Sequence, residues 1–138
     1  MIDKFGNAFY LIIYLAHFII VGSYAYQLVF DTKKFLKGRG VDKTATLITR
    51  FAGSFMIATV LMAIYIAFIR SGGLVATWAF FNLVFVQNLM YLIFGIYTIY
   101  INKLGHTEKT NSEGVIAAGV LTILSAILTY GLADKIYI

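Results

Sequence analysis

Neither cysteine nor proline occurs anywhere in this chain. Without thiols there are no disulfides, no thiolate metal ligands and no cysteine nucleophile. Without proline, no helix carries a proline kink. Charge is scarce too: Asp, Glu, Lys and Arg make up 12% of the 138 residues, against about 25% in soluble domains. Only six residues are acidic and two are histidine. Paired carboxylates and imidazole clusters, the usual material of acid–base and metal chemistry, have little to draw on.

What fills the chain is apolar. Hydrophobic residues account for 61% and the mean hydropathy is +0.87. A soluble domain of this size leaves too much surface in water to hide such a content. The apolar residues gather in four runs, Ala8–Phe30, Phe51–Ile69, Trp78–Ile101 and Gly114–Ala133, and no Asp, Glu, Lys or Arg lies inside them. At the rise of an α-helix the runs extend roughly 28–36 Å, matching a hydrocarbon core of about 30 Å. Backbone in lipid must satisfy its own hydrogen bonds, so runs of this length are helices. The expected fold is therefore all-α. Residues 1–138 form one domain, a polytopic membrane protein with four transmembrane helices in an antiparallel bundle. The first run has 23 residues, only Lys4 ahead of it and no small-x-small cleavage site before Asp31. It reads as a retained helix and not as a removed signal.

The basic residues are divided unevenly among the joints. Six of them (Lys33, Lys34, Lys37, Arg39, Lys43 and Arg50) occupy the first joint, and Lys103 and Lys109 the third. Lys4, Arg70 and Lys135 are left for the other side, eight against three. The positive-inside rule then puts the 31–50 loop in the cytoplasm and both termini outside it. The net charge of +5 serves topology and attraction to anionic headgroups. Nucleic acid is not an expected partner, since Phe35 alone interleaves an aromatic with the basic residues. Gly38-Arg39-Gly40 lacks the spacing and the preceding strand of a phosphate-binding loop. The joint Arg70-Ser71-Gly72-Gly73 is so short that it predicts antiparallel contact between runs two and three. His106 falls in the polar third joint, as a solvated loop residue. Ser112 and Glu113 suit a helix start.

Within the runs the informative residues are the few polar ones. Tyr10, Tyr14, His17 and Tyr24 fall within an arc of about 80° at 100° per residue. Asn88, Tyr91, Gly95, Thr98 and Asn102 form a similar stripe in run three, with Gln87 at its edge. His17 and Asn88 lie at nearly one depth, and Thr59, Thr122 and Ser125 fall near the same layer. His17 is the one ionisable side chain well inside a run, and such groups mark functional sites. Small residues recur along Ala52, Met56, Thr59, Ala63 and Ala67 and along Gly114, Ala118, Thr122 and Ala126, a spacing that favours close helix approach.

Leu15-Ala16-His17, the basic first joint, Trp78 opening run three and Asn111-Ser112-Glu113 before run four resemble the layout of a bacterial family. Its members are the four-helix, haem-linked protoporphyrinogen oxidases and the related copper-resistance-type membrane proteins. The resemblance covers most of the chain and implies a haem iron on His17. The family's oxidases also use a lysine in helix three. Here Asn82, Gln87 and Asn88 stand in that helix, so the likeness reaches the layout and the histidine but not the oxidase chemistry.

Two roles for the polar layer follow. In one, His17, Asn88 and their neighbours are interhelical glue, and the chain is an accessory or anchoring subunit of a larger membrane complex or a homo-oligomer. Its partners are then the lipid bilayer and other membrane subunits. In the other, His17 binds haem (as an iron ligand) or a quinone, with Tyr14, Asn88 and Tyr91 around it. A small transporter is a third reading, although its ion path would ordinarily show charged residues or broken helices. No catalytic residues are expected, because no carboxylate pair and no serine–histidine arrangement lies within a run.

Overall fold

A computed structural model describes residues 2–138, and its regular elements are all helical. A short helix α1 (Ile2–Phe5) leads into α2 (Ala8–Val29), which is followed by α3 (Thr32–Gly38). A single tight turn (Lys43–Ala45) opens α4 (Thr46–Ile64), which continues through a wide turn at Tyr65–Ile69. Helix α5 (Trp78–Ile96) likewise continues through Tyr97–Ile101, and α6 (Glu113–Gly131) and α7 (Ala133–Ile136) complete the chain. Four of these segments are long and apolar enough to cross a membrane: Ala8–Val29, Lys43–Ile69, Trp78–Ile101 and Glu113–Gly131.

The helix ends have local causes. The Asn7 side chain accepts the Tyr10 amide at 3.1 Å and caps α2. Asp42 accepts the Thr44 amide at 2.8 Å ahead of α4. Glu113 sits in the first turn of α6, where its charge complements the helix dipole. The second and third spans end differently: the amides of Arg70 and Asn102 reach back five residues, to Tyr65 O and Tyr97 O, both at 2.8 Å. Lys4 Nζ adds a donor to Ala67 O at 3.3 Å, a cation at the C-terminal end of that span. The second span starts at Thr46, earlier than its apolar run, which places Arg50 within α4. Arg50 Nε donates to Thr32 Oγ1 at 3.3 Å, tying α4 to α3.

The main seams are α5 against α6, α2 against α4, and α2 against α6. Helices α4 and α5 share no such seam. This corrects the expectation that the joint between runs two and three forces them together. The connection is longer than its glycines imply, because it runs from Arg70 to Thr77 before α5 begins. Leu74 in its middle is buried in the core, Gly73 takes a left-handed turn (φ 54°), and Arg70 Nη1 donates to Gly73 O at 2.7 Å. Thr77 Oγ1 donates to Leu74 O and closes the joint. So α2 and α6 form the middle of the bundle, with α4 and α5 flanking them.

Packing is concentrated at the end of the bundle where the joint 70–77, α1 and α7 meet. There Phe5, Leu74, Leu132 and Ile136 are sealed against Tyr14, Phe81 and Leu128. Elsewhere the spans are mostly surface: 17–28% of each is buried inside the protein. Leu47, Ile69, Ile101 and Tyr130 are among many large apolar side chains turned outward. This is a multi-pass membrane protein, and those outer faces meet lipid.

The small-residue stripes are only partly the packing faces. Ala52 and Gly114 are exposed, whereas Gly53, Ala63, Ala67 and Ala118 are buried. Ala118 retains 6% of its surface and Val120, two residues on, 42%. Ala118→Leu should destabilise the bundle by about 1–3 kcal/mol through overpacking. Val120→Leu, on the outer face, should stay within about 0.5 kcal/mol. Thermal unfolding of both variants in one detergent measures the difference; equal losses would take Ala118 out of the seam.

Candidate functional site

The middle of the bundle holds a small polar centre built from three helices. His17 projects from α2, Asn88 from α5 and Ser125 from α6, with 0%, 4% and 2% of their surfaces exposed. Asn88 Nδ2 lies 2.8 Å from His17 Nε2, 3.1 Å from Ser125 Oγ and 3.3 Å from Leu121 O. The amide orientation is assigned from these neighbours. Leu121 O is an acceptor, and the Ser125 hydroxyl donates to it at 2.8 Å. That leaves Ser125 Oγ as an acceptor as well. Asn88 therefore spends its N–H groups on His17 and Ser125.

This assignment fixes the state of the imidazole. If Nε2 accepts from Asn88 it carries no proton, so neutral His17 bears its hydrogen on Nδ1. Nδ1 is buried and has no hydrogen-bond partner, the one such side-chain atom among the described residues. A buried donor without a protein acceptor is costly unless water reaches it. His17 also lines a cavity of about 30 Å³, room for a water or two. The cavity lies between α4 and α5, which form no main seam, and Thr59, Gln87, Asn88 and Tyr91 contribute its polar lining.

The other stripe residues have separate duties. Tyr14 is buried beside Phe5 and Phe18, at ring distances of 4.9 and 4.6 Å, and donates to Ala63 O at 2.8 Å. It clamps α2 to α4 and does not line the cavity. Tyr91 does line it, but is half exposed. Tyr24 donates to Glu113 Oε1 at 3.3 Å, at the far end of α2. Thr59 and Thr122 bond carbonyls of their own helices, at 2.9 and 2.7 Å. Thr98 and Asn102 are exposed and Gly95 packs against Val115, so Asn88 is the stripe's buried polar residue. His106 folds back onto Thr98 O at 2.6 Å in the exposed third joint.

A haem on His17 does not fit this packing. Nε2 is held by Asn88, and the free volume is about 30 Å³, against about 300 Å³ or more for drug-sized ligands. The Phe18 ring lies 4.6 Å from the imidazole, and Val21, Val84 and Leu121 wall the cavity beside it. Among the described residues no cluster of three potential metal ligands exists. Two glycines that carry no signal in the sequence are close-packing sites: at Gly53 a Cβ would lie 2.6 Å from Val29 Cγ2, and at Gly131 it would run into the Tyr10 ring.

Architecture and site together define an all-helical, multi-pass membrane protein with a buried histidine–asparagine–serine centre. No family model matches the chain, and no match is found among curated proteins or solved structures.

Proposed function

We propose that this chain is an accessory or anchoring subunit of a membrane assembly, formed with other subunits or with further copies of itself. The observation that carries this reading is the opening between α4 and α5. Thr59, Gln87 and Tyr91 line it at the middle of the spans, where polar groups facing lipid are costly and seek partners on another helix. The interior offers hydrogen-bonded glue between helices. Because cysteine is absent, Thr59→Cys and Tyr91→Cys each introduce a unique thiol for cross-linking in native membranes. We expect both to trap a larger species, while Ile19→Cys on the outer face of α2 does not. Failure of both thiols to cross-link, with migration as a single 15.4 kDa chain in mild detergent, would overturn the reading.

The orientation in which the subunit is inserted follows from the division of eight basic residues against three. Joints one and three face the cytoplasm, and both termini lie on the other side. Lys37→Cys should resist an impermeant thiol reagent in intact cells and Ser71→Cys should react. The reverse pattern would invert the topology.

A second reading is favoured by the unpartnered Nδ1 of His17. Such a donor suits a carbonyl oxygen, as a quinone headgroup offers, but the cavity of about 30 Å³ admits the headgroup only if α4 and α5 part further. Its signature is a shift of the His17 imidazole ¹⁵N resonance when a short-chain quinone is titrated into the solubilised protein. No shift at saturating quinone would exclude it.

A further inference from the structure

The basic joint is more organised than topology requires. Lys34 pairs with Asp31 at 3.9 Å and Arg39 with Glu113 at 3.8 Å. Arg39 also lies over the Phe35 ring at 4.5 Å. Lys33, Lys37 and Lys43 have no carboxylate partner among the described residues, and these three line one depression of about 700 Å³ between α3 and the start of α4. Lys33 and Lys37 share a face of α3 because they are four residues apart. Leu36 beneath them is buried and anchors that helix.

The depression is bracketed by structure. Thr107 Oγ1 donates to Arg39 O at 2.6 Å and Lys109 Nζ to Lys37 O at 3.3 Å, so the third joint is strapped to the end of α3. One carboxylate, Asp42, lies in the lining. It is engaged with the Thr44 amide, a bond that holds its carboxyl below the usual carboxylate range. Three cations face one anion. Directly beyond the depression, α4 turns Leu47 (82% exposed) and Ile48 (64% exposed) outward, followed by Phe51 and Phe55. A charged recess thus continues into an apolar track along a membrane span.

We propose that this recess binds the phosphate of an anionic phospholipid, with Lys33, Lys37 and Lys43 as its ligands and the acyl chains lying along the exposed face of α4. A soluble phosphate shares the headgroup chemistry but has no use for the apolar track, which is why the lipid is the assigned occupant.

The test uses the full chain in mild detergent with added phosphatidylglycerol, read as retained lipid by native mass spectrometry. Lys37→Gln/Lys43→Gln is compared with Lys34→Gln/Lys103→Gln, which removes equal charge at the same end of the bundle. About fivefold weaker retention is expected per recess lysine removed, with little change in the control pair. Equal loss in both pairs would mean diffuse attraction and overturn the site. Displacement of the lipid by inorganic phosphate would assign the recess to a soluble anion, and a wild-type chain retaining no phosphatidylglycerol would also defeat the proposal. All four lysines lie in exposed joint segments, and an unchanged helical circular dichroism spectrum keeps the comparison valid.

Discussion

Asn88→Leu is expected to destabilise the bundle by about 2–3 kcal/mol, more than a lone interhelical hydrogen bond contributes in a membrane (about 0.6 kcal/mol on average). The excess comes from what remains behind. With the amide gone, His17 Nε2 loses its only protein partner, and stranding such a group costs about 1–3 kcal/mol. Ser125 suffers less, because its hydroxyl still donates to Leu121 O. His17→Leu removes both ring nitrogens at once and should cost less than Asn88→Leu. The double variant should lose at least about 1 kcal/mol less than the sum of the two, since the pair acts as one unit. His17→Gln keeps a polar group at the same depth and should cost on the order of 1 kcal/mol. Unfolding in mixed micelles at a series of denaturing-detergent fractions gives all four values. Strict additivity of the double variant would show that the 2.8 Å contact carries no energy.

A larger loss is expected from Gly53→Leu. A Cβ there would lie 2.6 Å from Val29 Cγ2 and 2.8 Å from Leu28 Cβ. Val29 has a movable terminus, but Leu28 Cβ is fixed to its backbone. The helices must separate or α2 must shift. Gly53→Ala alone should cost about 1–3 kcal/mol. Leucine should exceed that and cause the α2–α4 seam to fail, visible as loss of a discrete species in size-exclusion chromatography. Gly114→Ala is the counterpart of opposite sign. Nothing lies within 4 Å of a Cβ built at Gly114, and alanine in a helix gains up to about 1 kcal/mol over glycine. If Gly53→Ala were as benign as Gly114→Ala, the close approach at the end of α2 would not exist in solution.

Much of the centre was legible before the structure. His17 stood out because it is ionisable and inside an apolar run, and its common depth with Asn88 follows from counting residues along two parallel spans. The pairing itself also needed α2 and α5 to approach across the bundle, with Ser125 from α6 completing it. Tyr14 shares the arc of His17, yet it serves the α4 backbone at Ala63 O. Faces read from periodicity misplaced Ala52, Gly114, Thr98 and Asn102. In a lipid-facing helix the outside is as apolar as the inside, so the contrast that reveals a buried face in a soluble helix is weak.

By itself, the sequence determined the class of the protein, the number of its spans and their approximate ends. Each of these depends on a local quantity: the length of an uncharged run against the thickness of a bilayer, and the need of the backbone to bond itself there. Only the tertiary structure decided that α4 and α5 form no main seam, that Gly53 rather than Ala52 admits the neighbouring helix, and that Nδ1 of His17 has no protein partner among the described residues. Those outcomes depend on the path of the 70–77 connection and on contacts between residues distant in the chain, and no local pattern encodes them.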